Sequence, residues 1–145
     1  MVVFIPVIRR HRKFQFKVSD IMNAPPITAH YSASILEVAG LMFNKGVGSV
    51  MIVDDGGFLV GIITERDLVK LVATGRYSAD SPVHLIMTRN PVTIGPDALV
   101  YDALRKMRDY NIRHLPVVNS ENRPIGMVSV RDVLDAILTF TELFS

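Results

Sequence analysis

Two tetrapeptides hold the side chains best suited to chemistry. Thr64-Glu65-Arg66-Asp67 follows the apolar run Gly61-Ile62-Ile63. Ser129-Val130-Arg131-Asp132 follows Gly126-Met127-Val128, 65 positions later (126 − 61). Each sets a hydroxyl residue, an arginine two positions on and a carboxylate three positions on at a strand-to-helix junction. Two chemistries fit this spacing. One is a capping box, in which the hydroxyl takes the N3 amide and the carboxylate serves the helix N-terminus. The other adds a ligand. A helix N-terminus offers free N–H groups to phosphate. A carboxylate repels phosphate but accepts hydrogen bonds from a ribose diol. A nucleotide with its ribose on Asp67 and its phosphates along the amides satisfies both tendencies.

The remaining chemistry is sparse. The chain has no Cys, which excludes disulfides, thiolate metal sites and a cysteine nucleophile. His11, His30 and His84 lack metal-ligand spacing, and the sequence assembles no nucleophile–base pair or phosphate loop. No catalytic cofactor is expected, and the expectation is a non-enzyme. His114, just before an apolar run, fits a structural hydrogen bond as well as a phosphate contact. Met42 and Met107 read as core filling.

The elements that must position the motifs form a repeat. Residue 18 laid on residue 83 aligns without gaps: Val18 on Val83, Met22 on Met87, Pro26 on Pro91, Ala33 on Ala98, Asp67 on Asp132. Fixed-spacing self-similarity means two copies of one supersecondary unit, and two copies favour a closed pair over a solenoid. Each copy opens with a short turn and a short strand at 26–28 or 91–93. A helix follows, with Ile35, Val38, Ala39 and Met42, or Val100, Ala103, Leu104 and Met107, along one face. Ser34 and Glu37 cap the first helix. Leu99 cannot cap its counterpart, which leaves Asp97 as a substitute. Gly46 and Asn111 suit left-handed C-caps. Val50–Val53 and Leu115–Val118 read as buried strands. Asp54-Asp55-Gly56-Gly57 returns the chain antiparallel. A last helix carries Leu68, Leu71 and Val72, or Val133, Ala136 and Ile137. The unit is β-α-β-β-α and the fold class is α+β.

The chain therefore resembles a tandem pair of CBS (cystathionine β-synthase) domains, a Bateman module. The carriers are Asp20-Ile21-Met22, Pro26-Ile27-Thr28, Gly46-Val47-Gly48-Ser49, Gly61 to Asp67 and their partners, notably Arg113-His114-Leu115-Pro116. Met51, where the second copy has Pro116, and Leu99 depart from the pattern. The resemblance implies two repeats related by a pseudo-twofold axis. Their bounds are 18–73 and 83–145, with an arm over 1–17 and a linker over 74–82. It also implies a non-catalytic regulatory module that binds adenosine-containing ligands between the copies and signals to an effector protein. AMP, ADP or ATP come first among those ligands; S-adenosylmethionine and dinucleotides belong to the same class. One cleft would join Thr64, Arg66 and Asp67 to Ala98, Ile112, Arg113 and His114. The other would join Ser129, Arg131 and Asp132 to Ala33, Val47, Gly48 and Ser49. Arg113 and His114 would then make the Asp67 cleft the tighter for phosphate, with Arg131 held by Asp135 at i+4.

Bulk properties agree with this. The 145 residues are 49% hydrophobic with a net charge of +2, and the mean hydropathy is +0.30. That suggests an apolar face for a partner, and the apolar tail Ile137 to Phe144 suits a homodimer. The basic run Arg9 to Lys13 follows the apolar start, opposite to a secretory signal, and that start is too short to span a bilayer. A cytoplasmic protein without membrane contact is expected. The rivals are a nucleic-acid binder using that basic run, and a structural dimer with unused clefts.

Overall fold

The computed structural model describes residues 16–143. The basic run at 9–13 lies outside these residues. The first copy contains α1 (Val18–Ile21), β1 (Thr28–His30), α2 (Ile35–Lys45), β2 (Ser49–Val53), β3 (Leu59–Thr64) and α3 (Glu65–Thr74). The second contains a 3-10 turn (Val83–Leu85), β4 (Thr88–Arg89), α4 (Val100–Asp109), β5 (His114–Val118), β6 (Pro124–Ser129) and α5 (Val130–Leu143). One sheet runs β1-β2-β3-β4 and the other pairs β5 with β6. The fold is α+β.

The strand expected at 26–28 lies at 28–30, parallel to β2. Its counterpart shrinks to one bridge, Ile94 to Val117. Proline explains the loss. In the first copy Met51 N–H donates to Ile27 O at 3.3 Å and Tyr31 N–H to Val53 O at 3.0 Å. The matching residues are Pro116 and Pro96, which have no N–H to donate. Both ends of the ladder are thereby removed.

The copies interlock through their leading segments. Val18 is buried in the second copy's core with Ile94, Val100, Met107 and Leu115. Val83 is buried in the first copy's core with Val38, Met42, Val50 and Ile63. Val18 N–H donates to Ala98 O at 2.8 Å, and Val83 N–H to Ala33 O at 2.7 Å. The strands follow suit. β4 of the second copy extends the first copy's sheet at Gly61 and Ile62, and Asn23 bridges Met127 in the other direction. Each swapped valine contributes about 1.5–3 kcal/mol by burial.

Side chains alternate along β2 and β5. Val50 and Ile52 face one core, Leu115 and Val117 the other. Ser49 and His114 project from the opposite faces, and these meet: Ser49 Oγ lies 3.2 Å from His114 Nδ1.

Helix ends follow the residues expected of them, with two changes: the Glu37 carboxylate makes no return bond to Ser34 among the described residues, and α4 is capped by another residue. Ser34 Oγ accepts from Glu37 N–H at 3.0 Å, and Gly46 and Asn111 take positive φ. At α4 the N-terminus is served by Asp102, whose carboxylate accepts from Leu99 N–H at 3.3 Å. Asp97 pairs with Lys17 instead, at 3.6 Å. α3 buries no side chain completely. Val72, placed on its core stripe by spacing, is 85% exposed.

Candidate functional site

Each strand-to-helix junction folds as a cap first. At the second, Ser129 N–H and Oγ–H donate to Asp132 Oδ2 at 2.7 and 2.9 Å, and Asp132 N–H donates to Ser129 Oγ at 3.2 Å. At the first, Thr64 N–H and Oγ1–H donate to Asp67 Oδ2 at 2.9 and 3.3 Å. Capping consumes one oxygen of each carboxylate. The other oxygens differ. Asp132 Oδ1 accepts from Asn23 Nδ2 at 2.8 Å. Asp67 Oδ1 has no hydrogen-bond partner among the described residues. Both motifs also keep an exposed arginine, Arg66 and Arg131.

The structure regroups the residues that the resemblance had divided between two clefts. Antiparallel pairing sets Ser49 opposite Thr64 and His114 opposite Ser129. Glu65 N–H donates to Gly48 O and Val130 N–H to Arg113 O, each at 3.1 Å. The loop before the central strand therefore lies beside the motif of its own copy, because those two strands form one hairpin. Val47, Gly48 and Ser49 sit on the Asp67 side, and Ile112, Arg113 and His114 on the Asp132 side. The backbone of Arg113 thus lies beside Val130, next to the motif of its own copy, a grouping different from the one the resemblance implies. Ala33 and Ala98 pack on the cores of their own copies, where their carbonyls receive Val83 and Val18.

His114 ties the two sides together. Its ring lies within 3.2 Å of where a Cβ on Gly48 would stand, and Glu65 Oε1 approaches the same point at 3.5 Å. Burial pushes its pKa below the usual 6.5. Glu65 and Asp132 oppose that shift and Arg113 reinforces it. The imidazole, within hydrogen-bonding distance of Ser49 Oγ, is a structural member of the interface between the copies.

The Arg131–Asp135 pair expected at i, i+4 is not among the ion pairs of the described residues. Arg66, Arg113 and Arg131 are exposed and unpaired there. Two residues escaped the sequence reading. Asn23 could have been found as the mismatch with Thr88 at the repeat spacing. Glu65 could have been found as the first helical residue after Thr64.

A serine, a histidine and a carboxylate do come together elsewhere. His30 Nε2 lies 2.6 Å from Asp55 Oδ1, and its Nδ1 lies 2.7 Å from Ser32 Oγ. Asp55 is 87% exposed, so water screens it, and the contact clasps the end of β1 to the β2–β3 turn. A cavity of about 300 Å³ lies nearby, lined by Tyr31, Asp54, Val60, His84, Met87 and Arg89. It includes no motif residue. Among the described residues there is no group of three or more side chains able to hold a metal, and no helix long and apolar enough to cross a membrane.

Known proteins resemble the chain in sequence and in fold. The chain is 40% identical over 116 residues to the L-aspartate semialdehyde sulfurtransferase of Methanocaldococcus jannaschii, an alignment covering 80% of this chain and 22% of that protein. The chain thus spans about a fifth of that relative's length. The crystal structure of the CBS domain pair of protein MJ0100, in complex with 5′-methylthioadenosine and S-adenosyl-L-methionine, superposes with a TM-score of 0.79. The identity there is 37%, covering 85% of this chain and 96% of the other. The CBS domain protein PAE2072 from Pyrobaculum aerophilum, complexed with AMP, gives a TM-score of 0.76 and 32% identity over 81% of this chain and 89% of that one. The CBS domain model matches twice, at residues 18–74 and 83–139. With both repeats matched, the chain belongs to the CBS domain family, as a tandem pair.

Proposed function

We propose that the chain is a regulatory, non-catalytic module that binds adenosine-containing ligands between its two copies. The observation that carries this is Asp67. Its carboxylate caps α3 with one oxygen and leaves the other without a partner among the described residues. A ribose diol can use that oxygen, and the positive N-terminal end of α3 favours a phosphate beside it. The structural neighbours in complex with AMP, 5′-methylthioadenosine and S-adenosylmethionine support this class of ligand.

The regrouped residues divide the ligands. Arg113 and Arg131 stand on the Asp132 side, so anionic AMP, ADP or ATP is favoured there. The Asp67 side offers Arg66 with Gly48 and Ser49, and suits ligands that rely on the diol, such as 5′-methylthioadenosine. Binding changes the relation of the two copies only as far as it favours one arrangement over another. The output passes to a partner protein, and exposed apolar residues on α3 and α5, among them Val69, Val72, Leu134 and Leu138, suit a homodimer. The cytoplasm is the compartment that supplies such ligands. A thermal-shift panel of AMP, ADP, ATP, S-adenosylmethionine and 5′-methylthioadenosine tests the reading. A ligand selective for the fold raises the melting temperature; no shift with any of the five would leave an interlocked scaffold with idle clefts.

A further inference from the structure

We propose that Asn23 is a built-in competitor for the ligand at Asp132, so that the two half-sites take a ribose diol unequally. This rests on the adenosine-binding reading and adds to it a residue that ranks the sites. Asn23 and Thr88 occupy matching positions of the repeat. Their backbones are held alike: Asn23 bridges Met127, with N–H to O distances of 2.8 and 3.0 Å in the two directions, and Thr88 pairs with Ile62. Ile62 and Met127 are themselves matching positions. The side chain is therefore what differs.

The Asn23 amide reaches across the copies to Asp132 Oδ1 at 2.8 Å. Asp132 Oδ2 is already taken by Ser129 N–H and Oγ–H. Both oxygens of Asp132 are engaged before any ligand arrives. Thr88 makes no side-chain hydrogen bond among the described residues, and Asp67 Oδ1 stays open. A diol entering at Asp67 displaces no protein contact. At Asp132 it must displace the amide or share the oxygen with it. The contact is exposed, so the amide can swing into water at modest cost; it competes without blocking. Neutral diol ligands fill the Asp67 side first. Anionic ligands offset the competition through Arg113 and Arg131.

Swapping the two side chains tests this in the full chain. Calorimetric titration with adenosine isolates the diol, and AMP adds the phosphate. Asn23→Thr, made in Asp67→Ala, is expected to tighten adenosine at the Asp132 side about three- to tenfold, the net worth of one hydrogen bond. Thr88→Asn, made in Asp132→Ala, is expected to weaken adenosine at the Asp67 side by a similar factor. Both swaps are also made in the otherwise unchanged chain and read from two-site isotherms, which serves if an aspartate variant folds poorly. If the unchanged chain binds adenosine and neither swap moves its affinity, the competitor is overturned and the functional reading survives. If Asn23→Thr weakens binding, Asn23 is a ligand contact and the proposal is wrong. If neither adenosine nor AMP binds any form, the functional reading fails and takes the competitor with it.

Discussion

The two copies use the same cap differently. At Ser129 the cap takes one carboxylate oxygen and Asn23 bonds the other, so both oxygens of Asp132 are engaged. At Thr64 the carboxylate reaches back to the N-cap and half of it stays free. A duplicated unit thus keeps its backbone and diverges where a single side chain, Asn23 against Thr88, touches the motif. Identical capping chemistry can serve stability in one copy and leave room for recognition in the other.

The largest effects should appear where the copies do not differ. Val18 and Val83 each sit in the other copy's core, fully buried. Val18→Ala and Val83→Ala should each cost about 2–3 kcal/mol, from lost burial and a residual cavity. Chemical denaturation would show it, and a cost for only one of them would break the symmetry of the interlock. Glycines at the β3 and β6 crossings come next. A Cβ on Gly126 would stand 2.9 Å from Asn23 O and 2.6 Å from Met22 Sδ, whereas at Gly61 the nearest backbone atom, Thr88 O, is 3.1 Å away and Met87 provides the close side chain. A methionine tip can move and a paired carbonyl cannot. Gly126→Ala should therefore be the more destabilising, by about 1–3 kcal/mol in all. The same denaturation series checks the order of the two.

Ligand effects are smaller and opposite in the two halves. Asp132→Ala should lower affinity for AMP more than for 5′-methylthioadenosine, and Asp67→Ala the reverse, each by roughly tenfold for the preferred ligand, the net worth of a hydrogen bond of about 1–1.5 kcal/mol. Equal losses for both ligands in both variants would show that Arg113 does not distinguish the sides.

The sequence carried the repeat, the helices and the caps because these depend on local residue type. Gly46 and Asn111 take the left-handed conformation their positions suggested. The weakness of the second copy's first strand was written in Pro96 and Pro116, though it takes the partner strand to see which N–H is missing. The grouping of Arg113 with its own copy's motif has a different origin. The resemblance assigned loops to clefts by analogy, while the hairpin β5–β6 fixes His114 opposite Ser129 by covalent proximity. Val72 failed for a third reason. Its spacing is right for an apolar stripe, yet nothing among the described residues covers it, and periodicity alone cannot tell a core from a surface awaiting a partner. Asn23 lies 109 positions from Asp132, a separation at which no local pattern reports contact.

The smallest expected effect lies on the axis between the copies. Ser49 and His114 are matching positions that touch each other, so one copy supplies a hydroxyl and the other an imidazole. Burial holds the His114 pKa below 6.5 in the folded chain, despite Glu65 and Asp132. An unfolded chain leaves this histidine near 6.5, so below that pH the unfolded state binds the extra proton first. Stability from the neutral ring is present in full above about pH 6.5 and is lost as pH falls from there toward the lowered folded value. Melting temperatures of the native chain should thus fall more between pH 7.5 and 5.5 than those of His114→Gln, which keeps a hydrogen-bonding group but cannot titrate. If the two profiles run parallel, the imidazole is not excluded from protonation, and the axis would be wet enough to admit His114 as a cationic ligand contact after all.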